Sequence, residues 1–145
     1  MKNIWYHIRQ FFQSVNNLII WFPIIFKDRQ WDDFYFFEIM RKKLFLMEQF
    51  YRGPKAHHLN ALRDAENIHI AVTTLDRMQS MNYLEEELLA YYAEYDELPG
   101  FDELEKDSEK SNLFGKCGRK ANSTEQEDYD FLFDHLKAHI REWWD

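Results

Sequence analysis

The residue group best suited to chemistry is a set of cations and aromatic or imidazole side chains between positions 21 and 63. Guanidinium and ammonium groups beside tryptophan rings can hold a small anionic ring system, such as a nucleotide, by charge and stacking. The sequence predicts a ligand-binding group made of Trp21, Lys27, Arg29, Trp31, Lys43, His58 and Arg63. The alternative is ordinary ion pairing of the cations with Asp28, Asp32, Asp33 and Glu38.

Candidate metal ligands occur in two incomplete patterns. The run Glu94-Tyr95-Asp96-Glu97 offers one carboxylate pair of the kind that holds magnesium between facing helices, but it has no convincing mate. His135 and His139 are four residues apart, with Glu142 three residues later, a spacing that can place two imidazoles on one metal. No cysteine or H-E-x-x-H context supports that site. We therefore expect no metal and no cofactor.

The single cysteine, Cys117, is a weak candidate for a nucleophile. It lies among basic residues that can lower a thiol pKa, but the sequence offers no paired base for it. The surrounding segment has too few glycines for a phosphate-binding loop. A lone cysteine also cannot form an internal disulfide, which fits a reducing, intracellular setting. We predict a non-enzymatic protein with no catalytic residues.

An unusually apolar helix is predicted at 31–52. Phe37, Met40, Leu44, Met47 and Tyr51 recur in steps of three and four, which places them on one stripe. A second stripe beside it consists of Phe36, Ile39, Lys43, Leu46 and Phe50. Gly53-Pro54 is a strong stop, with glycine expected in a left-handed conformation. The sequence therefore predicts an all-α bundle of about five helices around this buried central helix, in one domain of 1–145.

Helical spacing also predicts the remaining elements. Residues 3–22 form a helix that ends before Pro23, with a short buried connector at 23–26. A third helix covers about 58–80, and a fourth begins at a capping box at Asn82, unless the two are one bent helix. The segment 100–123 is polar and predicts a long loop. Thr124 then opens the last helix with a second capping box.

Charge is distributed unevenly along the 145 residues. The formal net charge is −8, yet residues 1–60 hold nine Lys/Arg against five Asp/Glu, and residues 61–145 hold nine against twenty-one. Opposite charges on the two halves indicate attraction within one fold or across a homo-oligomer, or else two separate binding surfaces. Because the two apolar stripes on one helix and the dense aromatic content also exceed what a monomer of this length needs to cover itself, we predict a homo-oligomer. With so much acidic surface, direct binding of duplex DNA is not expected.

The amino-terminal apolar run does not predict a membrane protein. Leu18 to Phe26 is nine residues long, well short of the roughly 18 apolar residues that a spanning helix needs. Lys27-Asp28-Arg29-Gln30 follows where a signal peptide would have a small-residue cleavage site. An amphipathic anchor on a membrane surface is the alternative. We expect a cytoplasmic protein with no membrane partner.

The segment Asn17 to Asp32, the pattern through Phe36, Glu38, Ile39, Lys43 and Leu44, and the terminal Trp143-Trp144-Asp145 resemble a family of small uncharacterised proteins of tailed bacteriophages. The resemblance covers most of the chain outside 100–123 and brings no known activity with it. It implies a phage origin and a non-structural accessory role in the cytoplasm of the infected host. Such proteins often bind and neutralise a host defence component, either a protein or a nucleotide signal.

Two functional hypotheses follow. The first is sequestration of a small anionic nucleotide by the cation and tryptophan group described above. The second is inhibition of a basic host protein by the tract Glu85 to Glu109, which contains eleven acidic residues and one lysine and could mimic a nucleic acid. The sequence does not decide between them, and a role in phage assembly is a further alternative.

Overall fold

Helices account for nearly all of the described chain. The computed structural model describes residues 2–27, 29, 33–54, 56, 59–95 and 108–144. Within these ranges it contains α1 (Lys2–Lys27), α2 (Asp33–Arg52), α3 (Ala61–Ser80), α4 (Tyr83–Tyr95), α5 (Ser108–His139) and a 3-10 helix (Glu142–Trp144), with no strand. The predicted all-α bundle of about five helices is confirmed. None of the described helices is long and apolar enough to cross a membrane.

Helix α3 lies at the centre of the fold, between α2 and α5. Its residues Ala65, Ile68, Ala71 and Leu75 are fully buried, because the alanines allow neighbouring helices to approach closely and the larger side chains fill the space between them. The apolar face that the sequence predicts for this helix is buried as expected, and it consists of Ala61, Ala65, Ile68, Val72, Leu75 and Met78.

Helix α2 covers α3 with one stripe only. Leu44 is buried in the same cluster as α3, with Phe37, Met40, Met47 and Tyr51 packed against it. In the second stripe, Phe36 and Phe50 each expose more than half of their surface, and Lys43 is exposed too. The expectation that 31–52 is the buried central helix is therefore wrong, because the neighbours of α2 lie on one side of it. Residues 30–32, which include the predicted start, lie outside the described residues.

The sequence left open whether the third and fourth helices are one bent helix, and the structure shows that they are two. Helix α3 ends at Ser80, and Met81 adopts a left-handed conformation with φ of 53°. This turn separates the two helices without any glycine or proline. At the end of α2 the predicted stop at Gly53-Pro54 holds, but no described glycine has a positive φ, so Gly53 does not act as a left-handed cap.

The predicted polar loop is wrong over 108–123, where α5 is already helical; residues 100–107 lie outside the described residues. Cys117 and Ala121 are buried, and the first of them packs against Leu88 and Tyr91 of α4. This packing outweighs the low helix propensity of a glycine- and serine-containing segment. The predicted cap Thr124 lies inside the helix, where its hydroxyl donates to the carbonyl of Lys120 at 3.1 Å.

Helix α1 continues through Pro23 to Lys27, so the predicted end at Phe22 and the buried connector at 23–26 are wrong. A proline inside a helix removes one backbone hydrogen bond and crowds the preceding turn. Here the apolar residues on both sides keep helical spacing, and Ile24, just after the proline, is buried at 7% exposure. The burial of Ile24 anchors the last turn of α1 against that local penalty.

The glycines of α5 give a direct test of the helical assignment. A Cβ atom added at Gly118 meets no atom within 4 Å, and the residue has an ordinary helical φ. We expect Gly118→Ala to raise the free energy of unfolding by about 0.5–1 kcal/mol, because alanine loses less backbone entropy in a helix. Chemical denaturation measures this change. Gly53→Ala is the control, since its Cβ would lie 3.2 Å from the carbonyl oxygens of Gln49 and Phe50, and it should give no gain. A destabilised Gly118→Ala would contradict a helix at 108–123.

Candidate functional site

The predicted ligand-binding group is distributed over three helices. Lys27 ends α1, and the exposed Arg29 donates from its guanidinium to the Lys27 carbonyl oxygen at 3.3 Å. Trp21 is half-buried in α1, Lys43 is exposed on α2, and Arg63 lies on α3. Trp31 and His58 lie outside the described residues. The structure thus brings Lys27 and Arg29 together and places Lys43 and Arg63 on other elements.

Arg63 is already engaged with carboxylates. Its guanidinium lies 3.3 Å from Oδ1 of the buried Asp64 and 3.6 Å from Oε2 of Glu142. Arg41 of α2 is likewise ion-paired with Asp76 of α3. For these two arginines the structure matches the alternative of ordinary ion pairing, although the carboxylates are not among the four predicted from the sequence. A ligand anion would have to compete with carboxylates already in place.

Lys43 has the most open surroundings of the predicted group. It lines two adjoining cavities of about 170 and about 270 Å³, which also share Met47. Within the described residues Lys43 forms no ion pair, and the indole N–H of the buried Trp143, which lines the smaller cavity, has no hydrogen-bond partner. The other lining residues are apolar: Met40, Leu44, Leu46, Phe50, Tyr51, Leu136 and Ile140. One cation over an apolar groove suits a ligand with an anionic end and an apolar body.

A larger cavity of about 330 Å³ lies where α2, α3, α4 and α5 meet. Its lining includes the polar side chains of Gln79, Asn122 and Glu125, and no lysine or arginine among the described residues lines it. The amide nitrogen of Gln79 is buried and has no hydrogen-bond partner among the described residues. Without a cation this cavity does not suit a nucleotide phosphate. Sequence reasoning missed it because its walls come from four separate helices.

The histidine pair on α5 participates in a hydrogen-bonded contact with α3. The rings of His135 and His139 are 4.7 Å apart, but Nε2 of His135 lies 2.7 Å from the carbonyl oxygen of Asn67. Nδ1 of His139 lies 3.6 Å from Oε2 of Glu142. The described residues contain no group of three or more His, Cys, Asp or Glu side chains that could hold a metal ion. The pair therefore links α5 to α3.

The structure also locates two other candidates from the sequence, the thiol of Cys117 and part of the acidic tract at 85–109. Cys117 is 6% exposed and packs within the small core between α4 and α5, which removes its thiol from contact with a substrate. In the acidic tract, Glu87 pairs with Lys120 at 2.7 Å and Glu86 lies 3.9 Å from Arg77. Residues 96–107, which hold the middle of that tract, lie outside the described residues.

The largest unpartnered feature of the described chain is the apolar face of α1. Ile24 is the only buried residue among the α1 side chains that the structure describes, with Ile20 and Trp21 half-buried beside it. Among the described residues, helix α1 therefore joins the fold only at its carboxyl end. Phe11 exposes 65% of its surface and Leu18 66%, and the rest of this face is similarly open. The spacing of these residues places them on one side of a helix, but spacing alone does not show what covers that side.

Helix α1 also differs from the rest of the chain in charge. The helix contains Lys2, Arg9 and Lys27 and no acidic residue, whereas the remainder of the chain holds fifteen Lys/Arg against twenty-six Asp/Glu. Exposed apolar patches of this extent are rare on monomeric proteins and mark surfaces that bind another molecule. The face of α1 is therefore the best candidate for a functional site in the described part of the chain.

Comparison with known proteins does not assign the chain to a family. No protein-family model, no curated protein and no solved structure matches the chain. The resemblance to small phage proteins thus stays a prediction.

A buried tyrosine at the joint between α3 and α4 gives a prediction about pH. Burial raises the pKa of Tyr83, and the hydrogen bond that its hydroxyl donates to Asp128 at 2.6 Å raises it further. Above the ordinary tyrosine pKa of about 10 the unfolded chain loses this proton while the folded chain keeps it. The free energy of unfolding should therefore fall as pH rises above about 10.

The Tyr83→Phe variant should be less stable at neutral pH but should have a shallower alkaline decline than the parent. Urea titrations at pH 7 and at several values above 9 measure both effects. A variant whose alkaline decline equals that of the parent would show that Tyr83 does not keep its proton.

Proposed function

We propose that this protein acts by non-enzymatic binding and that the apolar face of α1 is its docking surface for another protein. The exposure of that face carries the proposal: eleven large apolar side chains point away from the fold, with no acidic residue among them or elsewhere on the helix. They are Ile4, Trp5, Ile8, Phe11, Phe12, Val15, Leu18, Ile19, Phe22, Ile25 and Phe26. We call this set the α1 face.

Burial of the α1 face supplies the driving force. Covering apolar surface is favourable by about 25 cal/mol per Å², and aromatic side chains are enriched at the centres of protein interfaces. Five of the eleven side chains are Trp or Phe. The resemblance to small phage proteins suggests where this binding acts, and we propose an accessory, counter-defence role in an infected bacterial cell.

Site-specific photo-crosslinking in bacterial cells tests this function. A photoreactive amino acid replaces Phe11 or Leu18 on the α1 face, or Gln10 or Asn17 on the polar side of the same helix. Each control position lies one residue from its test position, so expression and helix position are matched. We expect a discrete crosslinked protein from positions 11 and 18, identified by mass spectrometry, and none from 10 and 17. Equal crosslinking from both pairs, or none from the α1 face, would contradict the proposal.

A second candidate function is the binding of a small anionic ligand at Lys43. The observation that favours it is an exposed lysine that forms no ion pair with any described residue and lines two adjoining apolar cavities. Lysine binds a phosphate or carboxylate as a point charge. We propose nucleotide signals as the ligand class, with Lys27 and Arg29 contributing further positive charge at the end of α1.

Thermal unfolding with a panel of cyclic and ADP-ribose-type nucleotides tests the second candidate. A ligand at a hundredfold excess over its Kd stabilises the folded state by about 2.7 kcal/mol, which is a rise in Tm of roughly 5–11 °C for a domain near this size. Lys43→Glu should abolish the rise and leave the unliganded protein folded, because its side chain is exposed. Lys137→Glu, at an exposed position in α5, is the control that should retain the rise. No rise with any ligand, or one that Lys43→Glu does not change, would exclude this site.

A further inference from the structure

The α1 face has a strict seven-residue period. Ile4, Phe11, Leu18 and Ile25 are each seven residues apart, and Ile8, Val15 and Phe22 lie four residues after the first three of them. These are the d and a positions of three consecutive heptads, without a single polar residue among them. A third row, also seven residues apart, runs beside them and consists of Trp5, Phe12, Ile19 and Phe26. The α1 face is therefore a heptad pattern with a wide apolar stripe.

We propose that the occupant of the α1 face is the α1 face of a second copy of this chain, so that two or more copies associate through a helical bundle. This inference rests on the proposed docking function of α1 and names its partner. A hydrophobic period of 3.5 residues is what knobs-into-holes packing between helices requires. A membrane surface requires only an apolar side and imposes no such period.

Charge also favours a second copy over a lipid surface. Helices that lie on membranes usually carry many Lys and Arg on the polar side; α1 has three cations in 26 residues, beside five uncharged Asn and Gln residues. The rest of the chain, with eleven more acidic than basic residues, would be repelled by anionic lipid.

The size of the α1 face matches that of a stable interface. Each of its five aromatic side chains exposes more than half of its surface. An aromatic residue buries roughly 150–250 Å² when fully covered, so these five alone offer on the order of 600 Å². A standard protein interface buries about 800 Å² on each partner. The six aliphatic residues of the face supply the remainder.

The oligomeric state of the purified protein tests the inference. Sedimentation equilibrium at roughly 10–50 μM, a usual assay range, should give at least twice the chain mass of 17.9 kDa. The double variant Phe11→Lys/Leu18→Lys should sediment at the monomer mass, because it places two charges in the heptad rows. The matched control Gln10→Lys/Asn17→Lys adds the same charge on the polar side and should remain oligomeric. A monomeric parent, or equal dissociation of both variants, would overturn the inference.

A disulfide test covers the case in which the double variant fails to fold. Val15 lies at the middle of the heptad rows. In a parallel or an antiparallel pair of α1 helices, Val15 of one copy is therefore expected near Val15 of the other. Val15→Cys should therefore form a disulfide-linked dimer under mild oxidation, since the bond needs Cβ atoms roughly 3.5–4.5 Å apart. Asn17→Cys, on the polar side, should not. No dimer from Val15→Cys would count against pairing through this face.

The docking function of the α1 face and its self-association can be disproved separately. If the purified protein is monomeric but positions 11 and 18 still crosslink to a different protein in cells, the docking function stands and self-association falls. If neither experiment gives a product from the α1 face, both fall. If anionic vesicles, and not a protein, retain the parent but not the Phe11→Lys/Leu18→Lys variant, the occupant is a lipid surface and the second-copy inference is overturned.

Discussion

The rest of the fold depends on the close packing of α3 between α2 and α5. Ala65, Ile68, Ala71 and Leu75 have no exposed surface, and the two alanines leave room for neighbouring backbones to approach. Leu44 from α2 and Leu132 from α5 complete the same cluster. Because interiors are packed to nearly crystalline density, each helix that contacts α3 is held in one rotational setting. That setting determines which side of α2 and α5 is left in water.

The second stripe of α2 is exposed for this reason. With Leu44 fixed against α3, Phe36, Ile39 and Phe50 point away from the cluster by helix geometry alone. The smaller cluster of Leu88, Tyr91 and Cys117 joins α4 to α5 and covers nothing of α1 or α2. Two apolar surfaces therefore remain on the amino-terminal third of the described chain, the α1 face and this stripe. Both are available for contact with another molecule.

Periodicity predicted much of this architecture from the sequence. The buried side of α3 and the inner stripe of α2 follow from apolar residues at helical spacing, and the stop at Gly53-Pro54 follows from local chemistry. Local chemistry did not decide whether α3 and α4 are separate helices. The half of α5 before Thr124 could not be predicted in this way. Its helix depends on contacts with α4, where Cys117, Leu113 and Phe114 pack with Leu88 and Tyr91, and such tertiary contacts override a composition of Gly, Ser and Asn. The capping box at Thr124 predicted the wrong helix start for the same reason.

The candidate site was predictable only in part. Sequence reasoning selected Lys43 because a cation interrupts an apolar stripe, and the structure places that lysine beside two cavities. The larger cavity could not be predicted, since its lining residues come from α2, α3, α4 and α5, which are far apart in the sequence. For α1 the spacing of the apolar residues was visible, but their exposure was not, because spacing gives the side of a helix and not what covers it.

Because α1 has weak intrinsic stability as a helix, its conformation depends on what covers the α1 face. The helix carries Asn16 and Asn17 in its middle and Pro23 near its end, residues that disfavour helix formation, and many of its apolar residues are β-branched or aromatic. Tertiary packing supplies most of the stability of helices in proteins, and α1 receives it only near Ile24. A partner that covers the α1 face would supply the missing packing, so binding and helix formation in α1 would be coupled. Such coupling lowers the net affinity by the free energy of ordering the helix. It also makes the heptad rows selective, because a partner must match their period before the helix gains stability.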